Sequence, residues 1–160
     1  MLFRSADYDK TKQTVLSLKG YIDAQPKSIQ LCHIDAVPDN FLFVTGKDGS
    51  EKIKLTDWEY AGMQDPHLDV AMFIIYAMYD RDSAEKLIDL YFSDGCDKAT
   101  RLKIYCYIAV SGLVWSNWCE FKRHCGVEFG AYAQRQYDYA REYTKIFFKE
   151  YREAFGRDYV

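Results

Sequence analysis

Between residues 31 and 57 two polar clusters flank a pair of short β-prone runs, and this order leaves the chain few ways to fold. The first cluster is His33-Ile34-Asp35-Ala36-Val37-Pro38-Asp39-Asn40; its two acids, asparagine and proline mark a loop. Phe41-Leu42-Phe43-Val44-Thr45 is then apolar and β-prone, Lys47-Asp48-Gly49-Ser50 is turn material, and Lys52-Ile53-Lys54-Leu55-Thr56 alternates. The spacing predicts a hairpin that returns Asn40 and Asp57 to one end. Beyond this region the pattern is helical.

The polar residues are spaced for phosphoryl transfer. That reaction needs an aligned acceptor and cations on the phosphate oxygens more than covalent help. Protein-kinase-type enzymes supply these with H-x-D-x-x-x-x-N, giving a base and a metal ligand, and with a later Asp as the second metal ligand. His33, Asp35, Asn40 and Asp57 stand in that order. Asp35 is the expected base, and Asn40 and Asp57 are the expected ligands for Mg2+ with ATP as co-substrate. His33 belongs to this catalytic motif as a loop-ordering residue with no assigned proton transfer. The bland alternative is a set of turn formers, and Asp39 fits it as a solvated loop residue.

Asp57-Trp58-Glu59-Tyr60-Ala61-Gly62, with Asp65-Pro66-His67-Leu68-Asp69, resembles the family of choline/ethanolamine kinases and aminoglycoside phosphotransferases. The resemblance rests on D-x-E-x-x-G, on a second Asp twelve residues after the first, and on Leu31-Cys32-His33, over about residues 26–71. It implies that Asp69 braces the catalytic loop from a helix start, where the dipole also favours an acid. It places Glu59 with the substrate-binding residues. Trp115 and Trp118 resemble the W-x-x-W pair that choline kinases use in an aromatic box, where ring faces attract a quaternary ammonium. Tryptophans at helical spacing are also ordinary core residues. Tyr76 stands where that family commonly carries an acid, with Tyr79 following; Tyr76 keeps a ring for the box but no charge. Glu120 is not assumed to replace the acid. Choline or ethanolamine is therefore the expected acceptor. The alternatives are a noncatalytic choline-type binding or interaction module and an aminoglycoside phosphotransferase-like enzyme.

The chain of 160 residues is long enough for one packed core, and a hydrophobic fraction of 49% with 17% aromatics excludes a disordered class. A net charge of −3 gives no basic face for nucleic acid. The longest uncharged run, residues 104–119, is short for a membrane span, and residues 1–7 lack the apolar core of a signal peptide. Five cysteines without a C-x-x-C pair read as free thiols in a reducing cytoplasm. Cys119, His124 and Cys125 lack the spacing and fourth ligand of a zinc site.

Helices are predicted over 7–24, 67–80, 83–92, 98–124 and 128–155. The last carries a tyrosine stripe, Tyr132 included, read as packing, beside a solvated face of Arg135, Arg141, Lys145, Lys149, Asp138, Glu142 and Glu150. The predicted fold is mainly α with one small β-hairpin, resembling the C-terminal lobe of a protein-kinase-like phosphotransferase. It forms a single domain over 1–160, with catalytic and metal loops at 31–71 and a helical substrate subdomain at 72–160. No Gly-rich phosphate loop precedes His33, and Lys10, Lys12, Lys19 and Lys27 have no strand context. An N-lobe is thus expected to be absent and the chain weak or inactive alone. Its uncovered face is expected to take a separate N-lobe or a second copy.

Overall fold

The computed structural model describes residues 7–159; residues 1–6, which bear on the signal-peptide reading, lie outside that range. The predicted first helix forms as α1 (Tyr8–Ser17) and α2 (Lys19–Ala24), meeting at Leu18. Val15, Leu18 and Tyr21 turn inward from it. Strand β1 (Gln30–Cys32) leads into the polar loop, which ends in a 3₁₀ turn at Pro38–Asn40. Strands β2 (Phe41–Thr45) and β3 (Glu51–Leu55) make the predicted hairpin, with Phe41 opposite Leu55 and Thr45 opposite Glu51. Strand β4 (Gly62–Gln64) pairs antiparallel with β1, Cys32 opposite Gly62. This second ladder, three residues per strand, was too short to show in the sequence pattern.

Four helices complete the chain: α3 (His67–Tyr76), α4 (Arg81–Tyr91), α5 (Lys98–His124) and α6 (Ala131–Phe155). Two begin on side-chain caps. Asp80 accepts from Ser83 N–H at 2.9 Å, and Asp97 accepts from Thr100 N–H at 3.0 Å, each satisfying an otherwise orphaned donor. The last predicted helix starts three residues late because Gly130 sits at φ +54 before Ala131. Val70, Ala71, Met72, Ile74 and Ile75 make α3 apolar nearly all round, so it lies in the centre of the core. Helices α5 and α6 pack closely there. A β-carbon on Gly112 would stand 2.6 Å from the Gln136 carbonyl oxygen, so only glycine allows that approach.

The tyrosine stripe of α6 packs as predicted at Tyr139, Tyr143 and Tyr151. Glu150 departs from its predicted solvated face: it is buried and pairs with Lys98 at 2.5 Å and with Arg81, tying α6 to α4 and α5. Outside the core, the hairpin is bare. Phe43 and Ile53 oppose each other across it and are 80% and 63% exposed. All five cysteines are free thiols. No helix among the described residues is long and apolar enough to cross a membrane.

Candidate active site

Asp69 lies in the first turn of α3, but its carboxylate serves the polar loop. It accepts from His33 N–H at 2.9 Å and from Ile34 N–H at 2.7 Å. Ile34 has φ +68, a conformation that costs a β-branched residue energy and persists only where surroundings impose it. Two charge-assisted hydrogen bonds impose it here. Asp69→Asn puts an amide N–H against one of those donors. It is expected to destabilise the fold by about 2–3 kcal/mol, checked by urea denaturation.

His33 is buried, and its Nε2 meets the Thr56 carbonyl at 2.8 Å, so that nitrogen carries the proton. Its ring stands edge-on to Trp58 with centroids 4.6 Å apart. His33 thus clamps the loop before the hairpin to the loop after it. Thr56 N–H in turn donates to the Asn40 carbonyl at 3.0 Å, which sets Asp57 beside Asn40. The Asn40 side-chain nitrogen donates to the Asp35 carbonyl at 2.9 Å, leaving the amide oxygen for a ligand. Asp57 is exposed, with φ +63.

Asn40 and Asp57 offer only oxygen donors, which suit a hard divalent cation. No group of three or more His, Cys, Asp or Glu gathers among the described residues to cage an ion. One amide oxygen and one carboxylate are what magnesium uses when phosphates and water complete its shell.

Asp35 opens onto a cleft of about 850 Å³. Glu59, Tyr60, Tyr76, Trp115 and Trp118 line it. Tyr76 meets Trp115 edge-on at 5.5 Å, and Trp115 stacks with Trp118 at 6.1 Å. Phe129 and Tyr132 add two further rings, Phe129 lying 5.3 Å from Trp118. The four substrate residues expected from sequence therefore share one cleft with Asp35. Phe129 and Tyr132 were missed there. The packing stripe expected from the sequence includes Tyr132, but at the first turn of α6 this residue lines the cleft. Burial pushes the Tyr76 hydroxyl up from its ordinary pKa, and the neighbouring Asp35 charge adds to this. Tyr132 is raised by burial, with smaller contributions that include Asp35.

Beneath the loops lies a buried ion pair that sequence reading also missed. Lys103 Nζ donates to Asp65 at 2.7 Å and to the Pro26 carbonyl at 2.8 Å, and the Tyr107 hydroxyl donates to the same Asp65 oxygen at 3.0 Å. Burial alone would raise the Asp65 carboxyl; hydrogen bonds from Lys103 and His67 N–H hold it below its usual range. Burial, then the Lys103 charge, lowers His67. The available sign was a lysine inside an apolar run, Leu102-Lys103-Ile104-Tyr105.

A loop braced by a helical acid, a hairpin with Asn40 and Asp57 at its ends and a helical lobe around an aromatic cleft define the C-terminal lobe of a kinase-like phosphotransferase fold. The family model for choline/ethanolamine kinase matches residues 3–94, more than half of the chain. The chain belongs to the choline/ethanolamine kinase family. Protein LicA of Haemophilus influenzae is 30% identical over 121 residues, covering 68% of this chain and 41% of LicA. The crystal structure of choline kinase LicA from Streptococcus pneumoniae superposes with a TM-score of 0.70 at 27% identity, over 91% of this chain and 50% of that one. A choline/ethanolamine kinase family protein from Mesorhizobium loti shares the fold, with a TM-score of 0.75 at 24% identity, over 91% of this chain and 49% of that one. The chain spans half or less of the length of these relatives.

Proposed function

We propose that this chain is the catalytic lobe of an ATP-dependent phosphotransferase that moves a γ-phosphoryl group to the hydroxyl of a small cationic alcohol, choline or ethanolamine. The observation that carries this reading is the shared cleft: aromatic walls suited to a cation lead to Asp35, whose main-chain carbonyl holds the Asn40 side chain. Asp35 takes the alcohol proton as the oxygen attacks the γ-phosphorus, and the bond to the bridging oxygen breaks to release ADP. When bound at Asn40 and Asp57, magnesium would neutralise charge on the phosphate oxygens. His33 and Asp69 hold the loop. Tyr76, Trp115 and Trp118 surround the cation, with Glu59 supplying charge at the rim. The apolar walls count against a polyamine sugar as acceptor.

The nucleotide needs further protein. A LicA structure was solved in complex with AMP, and this chain covers 50% of that protein. A β-rich lobe seated on the bare Phe43–Ile53 face would complete the grip on ATP. It would be supplied by a separate polypeptide or by the remainder of a longer protein. The free thiols suit a cytoplasmic setting.

The test combines the chain with a β-rich lobe from a relative, ATP and Mg2+, and measures phosphorylation of choline and ethanolamine. No turnover across a panel of small alcohols would overturn the reading. By calorimetry without nucleotide, choline is expected to bind the chain, and Trp115→Ala to weaken it about tenfold, as for loss of a desolvated cation–π contact of ~1–2 kcal/mol. A second reading, a noncatalytic binding module, is favoured by one observation: the aromatic rings of Tyr76, Trp115, Trp118, Phe129 and Tyr132 of this chain line the cleft. Choline binding without turnover in the completed protein would select it.

A further inference from the structure

Tyr76 carries an unusual hydroxyl. It is buried, it belongs to a residue lining the cleft, and it has no hydrogen-bond partner of ordinary geometry. A buried hydroxyl left unpaired costs about 1–3 kcal/mol, and Tyr76, unlike the equally unpaired Tyr143 in the core, presents its hydroxyl where a cleft admits a ligand. Its ring is fixed by the edge contact to Trp115 at 5.5 Å, which also fixes where the hydroxyl points. Asp35 lines the same cleft, and its carboxylate is the charged group that acts most on the hydroxyl. At Tyr60 and Tyr132 the Asp35 charge ranks behind other influences. Tyr76 is held in its protonated, donating form by burial and by the same carboxylate.

We infer that Tyr76 is a positioning residue: its hydroxyl closes onto one oxygen of Asp35 when an alcohol occupies the cleft and turns the other oxygen to the alcohol's proton. The inference rests on the proposed cationic-alcohol reading and deepens it by giving the ring and the hydroxyl of Tyr76 separate tasks. The ring forms part of the cation's wall. The hydroxyl acts through Asp35 and senses only whether the ligand has an O–H to offer.

Choline and tetramethylammonium separate those tasks, because both carry the quaternary cation and only choline carries the hydroxyl. The experiment is calorimetric titration of the full chain with each, in the wild type, Tyr76→Phe, Asp35→Asn and the double variant. The wild type is expected to bind choline more tightly than tetramethylammonium. Tyr76→Phe should lower that ratio at least threefold while leaving tetramethylammonium affinity unchanged. It should also leave the melting temperature unchanged or raised, since only an unpaired hydroxyl is removed. In the Asp35→Asn background, Tyr76→Phe should change nothing further.

An unchanged ratio in Tyr76→Phe overturns the inference and leaves the cationic-alcohol reading standing. So does an equal loss of both ligands, which would make Tyr76 a wall residue only, or a marked fall in melting temperature, which would make its hydroxyl structural. A full Tyr76→Phe effect in the Asp35→Asn background overturns the route through Asp35. Binding of neither cation by the wild type removes the proposed substrate and this inference together.

Discussion

Lys103→Met should cost about 3–5 kcal/mol of stability, because it leaves the Asp65 carboxylate buried without its counter-charge. Both side chains are almost wholly enclosed, at 2% and 5% exposure. The remaining donors to Asp65, from Tyr107 and His67 N–H, are neutral. The pair also joins α5 to the turn before α3 and to Pro26, so the loss should loosen the segment that carries Asp69. Urea denaturation checks the magnitude. Asp65→Asn combined with Lys103→Met should recover much of the loss, since a neutral pair avoids the isolated charge; no recovery would mean the lysine acts through packing alone. A pH dependence accompanies this. His67 is held below its ordinary value near 6.5 by burial and by the Lys103 charge. The unfolded chain therefore binds the proton more readily, and stability should fall as pH drops from about 6.5 through the folded pKa. In Lys103→Met that fall should shrink, because His67 can then charge beside Asp65.

Asp35→Asn should lower phosphoryl transfer by about 10²–10⁴-fold in the completed enzyme, the usual contribution of a positioned general base. The fold should survive, because the structural bonds at this position come from the Asp35 main-chain carbonyl, which accepts from Asn40 at 2.9 Å and from Val37 N–H at 2.7 Å. Choline affinity should change far less than turnover, since the aromatic walls are untouched. Steady-state kinetics with circular dichroism checks both parts. Retained turnover would remove Asp35 from the base role and, with it, the reason for the loop's geometry.

Much of the candidate site was legible because its chemistry sits in contiguous segments. The offsets from His33 to Asp57 survive in any hairpin of the right length, and β2 with β3 formed within a residue of the predicted bounds. The helices were legible from apolar periodicity, with boundaries moved by particular residues such as Gly130. Other features left weaker traces. Strand β4 is three residues long and is defined only by its partner β1. Tyr132 and Phe129 reach the cleft because α6 crosses α5 at Gly112, a tertiary approach that no local pattern records. Lys103 was hidden for the same reason, its partner lying 38 residues away.

By itself, the sequence determined the residue types and offsets of a phosphotransfer loop, the hairpin that returns Asn40 to Asp57, and the helical character of the chain beyond the hairpin, because these depend on local spacing and propensity. Only the tertiary structure decided which rings wall the cleft, that Asp69 turns from its own helix to hold His33 and Ile34, and that the Tyr76 hydroxyl is left unpaired near Asp35. Those outcomes depend on how helices cross and where burial strips away water. Such facts arise between segments far apart in the chain, where packing and desolvation set the energies.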